Sequence, residues 1–238
     1  MANQPAALIV GVGPGLGSAL AAAFAQGGHA VALGARGDGG ERCAQELSAQ
    51  GLRALSLRYD ATDPAAVAQA VASAQEALGP IGVLVYNVGN MVRGDVQELA
   101  PEDFWAALAA GPFGAFLHTR ELLPEMARRG GGTVILTGAT SSVRAPAQAP
   151  AFAAAKFGLR GLALSLARRW GPRGVHVAHV LIDGVIRTPR SRGYLAPGDP
   201  ALEPADVALS YLDLAHQPRS AWTFELDLRP AGDDIGEN

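Results

Sequence analysis

Short apolar runs alternate with helical patterns along almost the whole of this 238-residue chain. The runs lack a polar–apolar alternation, which is typical of strands that helices cover on both faces. Strands are predicted at Ala6–Val10, Ala30–Gly34, Arg53–Arg58, Val83–Asn87, Thr133–Thr137, Val175–Leu181 and Phe224–Leu228. This order predicts an α/β fold, a doubly wound three-layer sandwich around a seven-stranded parallel sheet.

The segments between these runs carry the four-residue spacing of helices. Leu16, Leu20 and Phe24 form one such stripe. Two longer helices are predicted, at Phe113–Arg129 and Ala149–Trp170. Helix starts with proline in the first turn are predicted at Asp63-Pro64 and Glu203-Pro204. Since neither an internal repeat nor a long linker interrupts the pattern, residues 1–238 are expected to form a single domain.

Composition excludes several classes of protein. The chain is 49% apolar and 17% charged, which argues against disorder. Its net charge is −3 and it has no dense basic run, so a nucleic-acid partner is not expected. The single cysteine, Cys43, excludes an internal disulfide and fits a reducing compartment. With neither a secretory signal nor an 18-residue apolar span, we expect a cytoplasmic protein without membrane association.

A glycine-rich segment follows the first predicted strand directly. Gly11, Gly15 and Gly17 have the spacing G-x-x-x-G-x-G, and Gly13 is a further opening. Backbone N–H groups at a helix N-terminus bind a pyrophosphate, and side chains there would block its approach. Glycine turns are common, but this one lies within a strand–turn–helix unit, which favours a Rossmann-type dinucleotide site.

Four elements in this order resemble those of the short-chain dehydrogenase/reductase family, and the similarity covers essentially the whole chain. They are the glycine loop, Asp60-Ala-Thr-Asp63 after the third strand, Asn87-Val-Gly89 after the fourth, and Asp183-Gly-Val-Ile-Arg-Thr188 after the sixth. The last has aspartate where the family has proline. With Arg36, the resemblance implies cofactor contacts from Gly11, Gly13, Gly15, Leu16, Gly17, Asp60, Ala61, Asn87, Gly89, Lys156, Gly184, Ile186 and Thr188.

The end of the second strand bears on the choice of cofactor. NAD-selective members of the family place an acid there, which binds the ribose 2′-hydroxyl. Here that position holds Ala35, and Arg36 follows. A guanidinium pairs well with a 2′-phosphate, although a solvated loop arginine is the alternative reading. Asp38 is near enough to bind a 2′-hydroxyl if the loop bends, so NADP(H) is favoured and NAD(H) remains the alternative.

Most of the catalytic positions that the resemblance implies are vacant. The family uses a tyrosine as acid, a serine that holds the substrate oxygen, a lysine that binds the nicotinamide ribose, and an asparagine in a proton relay. Lys156 is present, but the other three positions hold Phe152, Ala139 and Gly111. A general acid contributes roughly 10²–10⁴ in rate. An oxyanion donor contributes roughly 10²–10³. Conventional carbonyl reduction is therefore expected to be slow.

Several residues are candidate substitutes for the missing groups. Ser141, Ser142 or Thr140 could replace the serine if the loop carries an insertion. The acid could be Tyr194, in a substrate-covering segment at Thr188–Pro204, or Asp183 if a dry pocket keeps it protonated. Each has a structural alternative, because serines form turns, tyrosines pack and aspartates cap glycine turns.

The remaining polar candidates fit structural roles better than catalytic ones. His118 is expected to pack in its helix or at an interface, Tyr86 to lie in the core, and Cys43 to pack rather than react. His29, His176, His179 and His216 are too scattered for a metal site, and no spacing resembles a zinc or iron cluster. No metal is predicted.

Two functional interpretations follow. The first is an NADP(H)-dependent oxidoreductase with a non-standard acid, acting on an unidentified, largely apolar carbonyl or alcohol. The second is a catalytically inactive dinucleotide-binding protein that binds a partner or senses redox state. A homodimer or homotetramer is expected, because the family pairs the equivalent helices across a two-fold axis and small residues allow close approach. The two long helices are expected to carry such residues on exposed turns, among them Ala153, Ala154, Gly158 and Gly161.

Overall fold

The computed structural model describes residues 4–196 and 198–231, and its centre is a seven-stranded parallel sheet of order β3-β2-β1-β4-β5-β6-β7. The strands are β1 Ala6–Val10, β2 Val31–Ala35, β3 Ala54–Arg58, β4 Ile81–Tyr86, β5 Gly132–Thr137, β6 Val175–Ile182 and β7 Glu225–Leu228. The predicted doubly wound α/β fold is confirmed. Strand bounds differ from those predicted by at most two residues, as is usual at element ends.

Helices cover both faces of the sheet. They are α1 Leu16–Gln26, α2 Gly39–Ala49, α3 Pro64–Leu78, α4 Pro101–Leu108, α5 Gly114–Arg128, α6 Pro150–Trp170 and α7 Pro204–Ala215. One core packs α1, α2 and α7 on the sheet through Phe24, Leu47 and Tyr211. The other packs α3, α5 and α6 on the opposite face. Within the described ranges, no helix is both long and apolar enough to cross a membrane.

Local chemistry explains where helices begin and end. The Asp63 carboxylate accepts hydrogen bonds from the backbone N–H groups of Ala65 and Ala66 at 2.8 and 3.0 Å, which caps α3. Proline occupies the first turn of α3 and of α7, as predicted. On α6, Ala153 is buried, so the prediction that it lies on an exposed turn is wrong; Gly158 and Gly161 are exposed.

A π-helical turn joins α4 to α5, which the sequence did not reveal. It spans Ala109–Phe113, and Gly111 within it has φ −85° and ψ −107°. Pro112 has no N–H to donate, and the Tyr86 hydroxyl donates to the Ala110 carbonyl at 2.7 Å. A side chain from the core of the sheet thus replaces part of the helical hydrogen bonding and holds the kink beside the end of β4.

The strand order places a crevice at the carboxyl ends of β1 and β4. From β1 the chain proceeds outward to β2 and β3, and it then returns to form β4 on the other side of β1. Such a switch point leaves space between the loops that follow the two strands, and ligands of open α/β sheets bind there.

Candidate functional site

A cleft of about 870 Å³ opens at this switch point. Its walls come from the glycine loop, the end of β2 and the loops after β3 and β4. Seven of the predicted cofactor residues line it, namely Gly11, Gly13, Arg36, Asp60, Ala61, Asn87 and Gly89. The other predicted cofactor residues do not line this cleft; they are Gly15, Leu16, Gly17, Lys156, Gly184, Ile186 and Thr188. The structure therefore gathers the predicted adenosine and pyrophosphate end in one space.

The glycines of the loop serve different purposes. A Cβ on Gly11, whose φ is +93°, would lie 2.6 Å from the Asn87 carbonyl oxygen, and one on Gly17 would lie 2.5 Å from the Gly11 carbonyl oxygen. These two glycines let β1, β4 and α1 pack closely. A Cβ on Gly13 would meet nothing within 4 Å, so this position is open toward the cleft. The loop fits an anion held by backbone N–H groups at the start of α1.

Two arginines lie at the end of β2. Arg36 is exposed on the cleft wall, and its carbonyl accepts a hydrogen bond from the Arg58 Nε at 3.1 Å. Arg42, in the first turn of α2, pairs with the Asp38 carboxylate at 2.7 Å and also lines the cleft. Sequence reasoning missed Arg42, although its i,i+4 spacing from Asp38 was a usable signal. Asp38 thus already has a cationic partner.

Asp60 is held by the turn that it starts. Its Oδ1 accepts hydrogen bonds from both the backbone N–H and the hydroxyl of Thr62, each at 2.8 Å. These two bonds, the backbone one first, lower the pKa of Asp60 below its ordinary value, and the nearby charge of Arg36 adds to the effect. The carboxylate is therefore an ionised acceptor on the cleft wall.

Lys156 lies close to Gly89, which lines the cleft. Its Nζ donates to the Thr137 carbonyl at 2.7 Å, and a Cβ on Gly89 would lie 3.4 Å from it. Burial lowers the pKa of this ammonium to about 8. Among the 19 basic residues of the chain it is the sole lysine, and the other 18 are arginines. The presence of a single lysine among these basic residues is a sequence signal that singles out Lys156.

The three positions expected to be vacated, at Phe152, Ala139 and Gly111, carry no polar side-chain group. Phe152 is 8% exposed, one turn before the lysine on α6. Ala139 follows β5 with an extended backbone. Gly111, in the π-helical turn, packs so closely on α6 that a Cβ would lie 3.1 Å from the Ala155 Cβ. None of these side chains can donate a proton.

Ser141 and Ser142 are both buried after β5. The Ser142 hydroxyl accepts from the Ala139 N–H at 3.1 Å and donates to the His179 Nε2 at 3.2 Å. His179 in turn donates from Nδ1 to Glu225 at 3.1 Å, and burial lowers its pKa to about 4. These hydrogen bonds hold the loop after β5 in place. The Ser142 hydroxyl both donates and accepts within them.

Asp183 accepts three donors, which does not favour the predicted role as a protonated acid. The Thr140 hydroxyl donates to it at 2.5 Å, and the guanidinium groups of Arg144 and Arg229 pair with it at 2.6 and 2.7 Å. The carboxylate is thus engaged by the side chains of three other residues. Sequence reasoning missed both arginines, because neither lies near residue 183 in the chain.

Tyr194 is 67% exposed, within the predicted substrate-covering segment. The ends of that segment are joined by a parallel bridge between Ile186 and Leu202 and by an ion pair from the Arg187 Nε to the Glu203 carboxylate at 2.6 Å. Pro197, within the same segment, lies outside the described residues.

The residues assigned to packing are buried as expected. His118 donates from Nδ1 to the Gly114 carbonyl at 2.7 Å and accepts from the Tyr59 hydroxyl at 2.8 Å. Burial lowers its pKa to about 4, so the ring is neutral. Tyr86 lies in the core of the sheet, and Cys43 is buried on α2.

Two of the other four histidines, which were expected to be too scattered for a metal site, lie close together. The Nε2 atoms of His29 and His216 lie 3.4 Å apart, although 187 positions separate the two residues. The described ranges contain no group of three or more His, Cys, Asp or Glu side chains that could hold a metal ion.

Comparison with known proteins agrees with this geometry. The model of the short chain dehydrogenase family matches residues 5–195. Oxidoreductase UcpA of Salmonella typhimurium is 31% identical over 195 residues, which are 82% of this chain and 74% of that protein. The crystal structure of a short-chain dehydrogenase from Rhodopseudomonas palustris has 33% identity and a TM-score of 0.82, over 95% of this chain and 98% of that one.

A second solved structure is similar over a comparable length. It is an alcohol dehydrogenase from the archaeon Thermococcus sibiricus, complexed with 5-hydroxy-NADP. Its TM-score is 0.86 at 25% identity, and the alignment covers 95% of this chain and 97% of that one. Because the family model spans most of the sequence and the glycine loop, the switch-point cleft and the buried lysine are all in place, the chain belongs to the short-chain dehydrogenase family.

Proposed function

We propose that this protein binds NADP(H) in the switch-point cleft and acts as an oxidoreductase on a small carbonyl or alcohol. The observation that carries the proposal is the cleft itself, where Gly13 opens onto a helix N-terminus and Arg36 stands at the adenosine end. The complex of the Thermococcus sibiricus relative with 5-hydroxy-NADP supports this class of ligand. NAD(H) is the alternative cofactor.

Preference for NADP(H) has two structural supports. Arg36 offers a planar guanidinium for a 2′-phosphate where Ala35 leaves no carboxylate for a 2′-hydroxyl. Asp38, which could repel the phosphate, is paired with Arg42. The cleft wall formed by Arg36, Asp38 and Arg42 therefore has a net positive charge, which favours binding of a 2′-phosphate.

Of the four catalytic positions that the family uses, the expected lysine, Lys156, is retained in this chain. The cofactor, when bound, supplies or accepts the hydride. The position of Lys156 beside Gly89 suits contact with the nicotinamide ribose, and its ammonium adds positive charge where oxyanion character develops. Phe152, Ala139 and Gly111 supply no proton or hydrogen bond, so we expect turnover of conventional carbonyls to be slow.

One observation favours a second candidate, a dinucleotide-binding protein without turnover that binds a partner or senses redox state. Of the substitutes for the lost acid and serine, Ser142 and Asp183 are already engaged by other protein groups. Tyr194 is the substitute whose side chain is most exposed. A steady-state assay with a panel of diketones, quinones and alcohols separates the two candidates, because measurable turnover that Lys156→Ala abolishes would exclude the second.

A fluorescence titration tests the cofactor assignment. NADPH should bind at least several-fold more tightly than NADH, and Arg36→Ala should remove the difference. Equal affinities of the unmodified protein for the two nucleotides would overturn the NADP(H) preference, and binding of neither would overturn the proposed function.

We further propose a cytoplasmic homodimer or homotetramer. The helices that the family pairs across a two-fold axis expose apolar side chains here, namely Phe113, Phe116, Phe157 and Leu164. Burial of these groups would stabilise an association of two copies. Light scattering that finds a monomer at micromolar concentration would contradict this proposal.

A further inference from the structure

The wall of the cofactor cleft that follows β4 carries one bulky side chain. Trp105, on α4, lines the cleft and is 64% exposed. The other lining residues of α4 and the π-helical turn are Ala106, Ala109 and Ala110. Trp105 and Ala109 are about one helical turn apart and therefore lie on the same side of this segment. The indole is thus the main apolar surface that this wall offers to a ligand.

A ligand in the cleft lies between Trp105 and residues from the other side of β1. Arg36 and Asp60 follow β2 and β3, which lie on one side of β1, whereas α4 follows β4, which lies on the other side. All three residues line the same cleft of about 870 Å³. They therefore converge on the adenosine end of a dinucleotide whose pyrophosphate lies at the glycine loop.

The chemistry of these groups fits a purine base. Adenine has two flat faces and an exocyclic amino group that donates hydrogen bonds. The Trp105 indole is a flat surface of comparable size, and aromatic side chains stack well on bases. Both hydrogen bonds from Thr62 to Asp60 end at Oδ1, so Oδ2 takes no part in them and can accept from the amino group. Trp105 thus suits the face of the base, and Asp60 suits its edge.

The other two tryptophans of the chain stack on protein groups. The Trp222 ring lies nearly parallel to the His176 ring, with centroids 5.0 Å apart and planes inclined by 4°. The Arg173 guanidinium lies 5.6 Å from the centre of the Trp170 ring. Neither of these tryptophans lines the cleft. Stacking of a flat ligand on the exposed Trp105 ring would remove its apolar surface from water in the same way.

We propose that Trp105 stacks on the adenine base of the bound dinucleotide and fixes the adenosine end of the cofactor in the cleft. This inference rests on the proposed function, because it requires a dinucleotide at this site. Trp105 acts on both cofactors alike, since NADPH and NADH share the adenine ring and differ at the ribose 2′ position. Its effect therefore differs from that of Arg36, which is expected to bind the 2′-phosphate of NADPH alone.

Titration with 2′,5′-ADP tests the proposal, because this ligand carries the adenine and the 2′-phosphate but no nicotinamide to absorb tryptophan emission. Its binding to the unmodified chain, measured by calorimetry, should be accompanied by quenching of tryptophan fluorescence. Trp105→Leu should remove the quenching and weaken binding at least about fivefold, since the base loses its stacking partner. Trp105→Phe should bind more tightly than Trp105→Leu, because it keeps an aromatic face. Trp222→Phe is the matched control and should retain both the quenching and the affinity, since Trp222 does not line the cleft.

Titrations with the intact cofactors provide a second readout. Trp105→Leu should weaken the binding of NADPH and of NADH by the same factor, whereas Arg36→Ala should weaken the binding of NADPH alone. Because Trp105 is exposed, the leucine variant should keep the Tm of the unmodified chain.

The possible results separate this inference from the proposed function. If the unmodified chain binds 2′,5′-ADP and Trp105→Leu binds it equally tightly, the inference is overturned while the cofactor assignment stands. A changed oligomeric state of Trp105→Leu with unchanged affinity would also overturn it, and Trp105 would then be an interface residue. If the unmodified chain binds neither 2′,5′-ADP nor NADPH nor NADH, the inference and the proposed function both fail.

Discussion

The Lys156 ammonium lies 5.6 Å from the centre of the Phe152 ring, four residues earlier on α6. At the position where the sequence motif predicts the family's proton donor, this chain has an aromatic ring beside the Lys156 ammonium. A cation near an aromatic ring is stabilised by the ring quadrupole, which offsets part of the cost of burying Lys156. The Lys156 ammonium carries a positive charge beside this ring, but Phe152 has no hydroxyl that could donate a proton.

Restoring the missing hydroxyls should create activity. Phe152→Tyr with Ala139→Ser should raise NADPH-dependent reduction of reactive diketones or quinones by about 10² or more over the unmodified protein. The tyrosine alone should do less, because the substrate oxygen would lack its second donor. Steady-state consumption of NADPH measures the effect, with Lys156→Ala added to the double variant as the inactive control. A double variant that binds NADPH normally yet reduces nothing would show that the substrate pocket has also been lost.

The sole lysine allows its pKa to be measured directly. After reductive ¹³C-methylation, the NMR signal of Lys156 should titrate with a midpoint near its pKa of about 8, because burial disfavours the charged amine. In urea the midpoint should return to about 10.4. A midpoint above 10 in the folded protein would contradict the burial of this side chain.

Arg42 should influence the preference between NADPH and NADH because it forms an ion pair with Asp38. Both side chains are more than half exposed, so the effect is modest. Arg42→Ala should weaken NADPH binding about two- to fivefold, with NADH binding unchanged, because the freed carboxylate repels a 2′-phosphate. Adding Asp38→Ala should recover most of the loss, as measured by fluorescence titration at low salt. If the double variant binds NADPH as weakly as Arg42→Ala alone, Arg42 acts by direct contact instead.

Acid should destabilise the fold through its buried histidines. His118 and His179 have pKa values of about 4 in the folded protein and about 6.5 when unfolded. The unfolded chain therefore binds more protons between these values, and stability falls as the pH drops through this window. Each histidine should account for about 2 kcal/mol between pH 7 and pH 5.

Urea unfolding of His179→Gln and His118→Gln at the two pH values checks this expectation. Each variant should lose less stability on acidification than the unmodified chain, whatever its stability at pH 7. Identical pH dependence in all three proteins would mean that neither histidine is neutral in the fold.

Local patterns predicted much of this fold and half of the site. The period of apolar residues marks strands and helices within the chain, and proline and aspartate mark helix starts, because these effects act over a few residues. The spacing of Phe152 and Lys156 likewise places both on one face of α6 without any knowledge of the rest of the molecule. The glycine loop was readable because its backbone requirement is also local.

The other features of the candidate site depend on contacts between residues that are far apart in the sequence. Asp183 became an ion-pair acceptor because Arg144 and Arg229 converge on it from two other loops. The hydrogen bond between Ser142 and His179 forms because β6 packs beside the loop after β5. The contact between His29 and His216 likewise depends on the packing of α7 near the start of β2. Sequence spacing carries no record of such pairings, because the order of strands in the sheet and the packing of helices on it bring these side chains together.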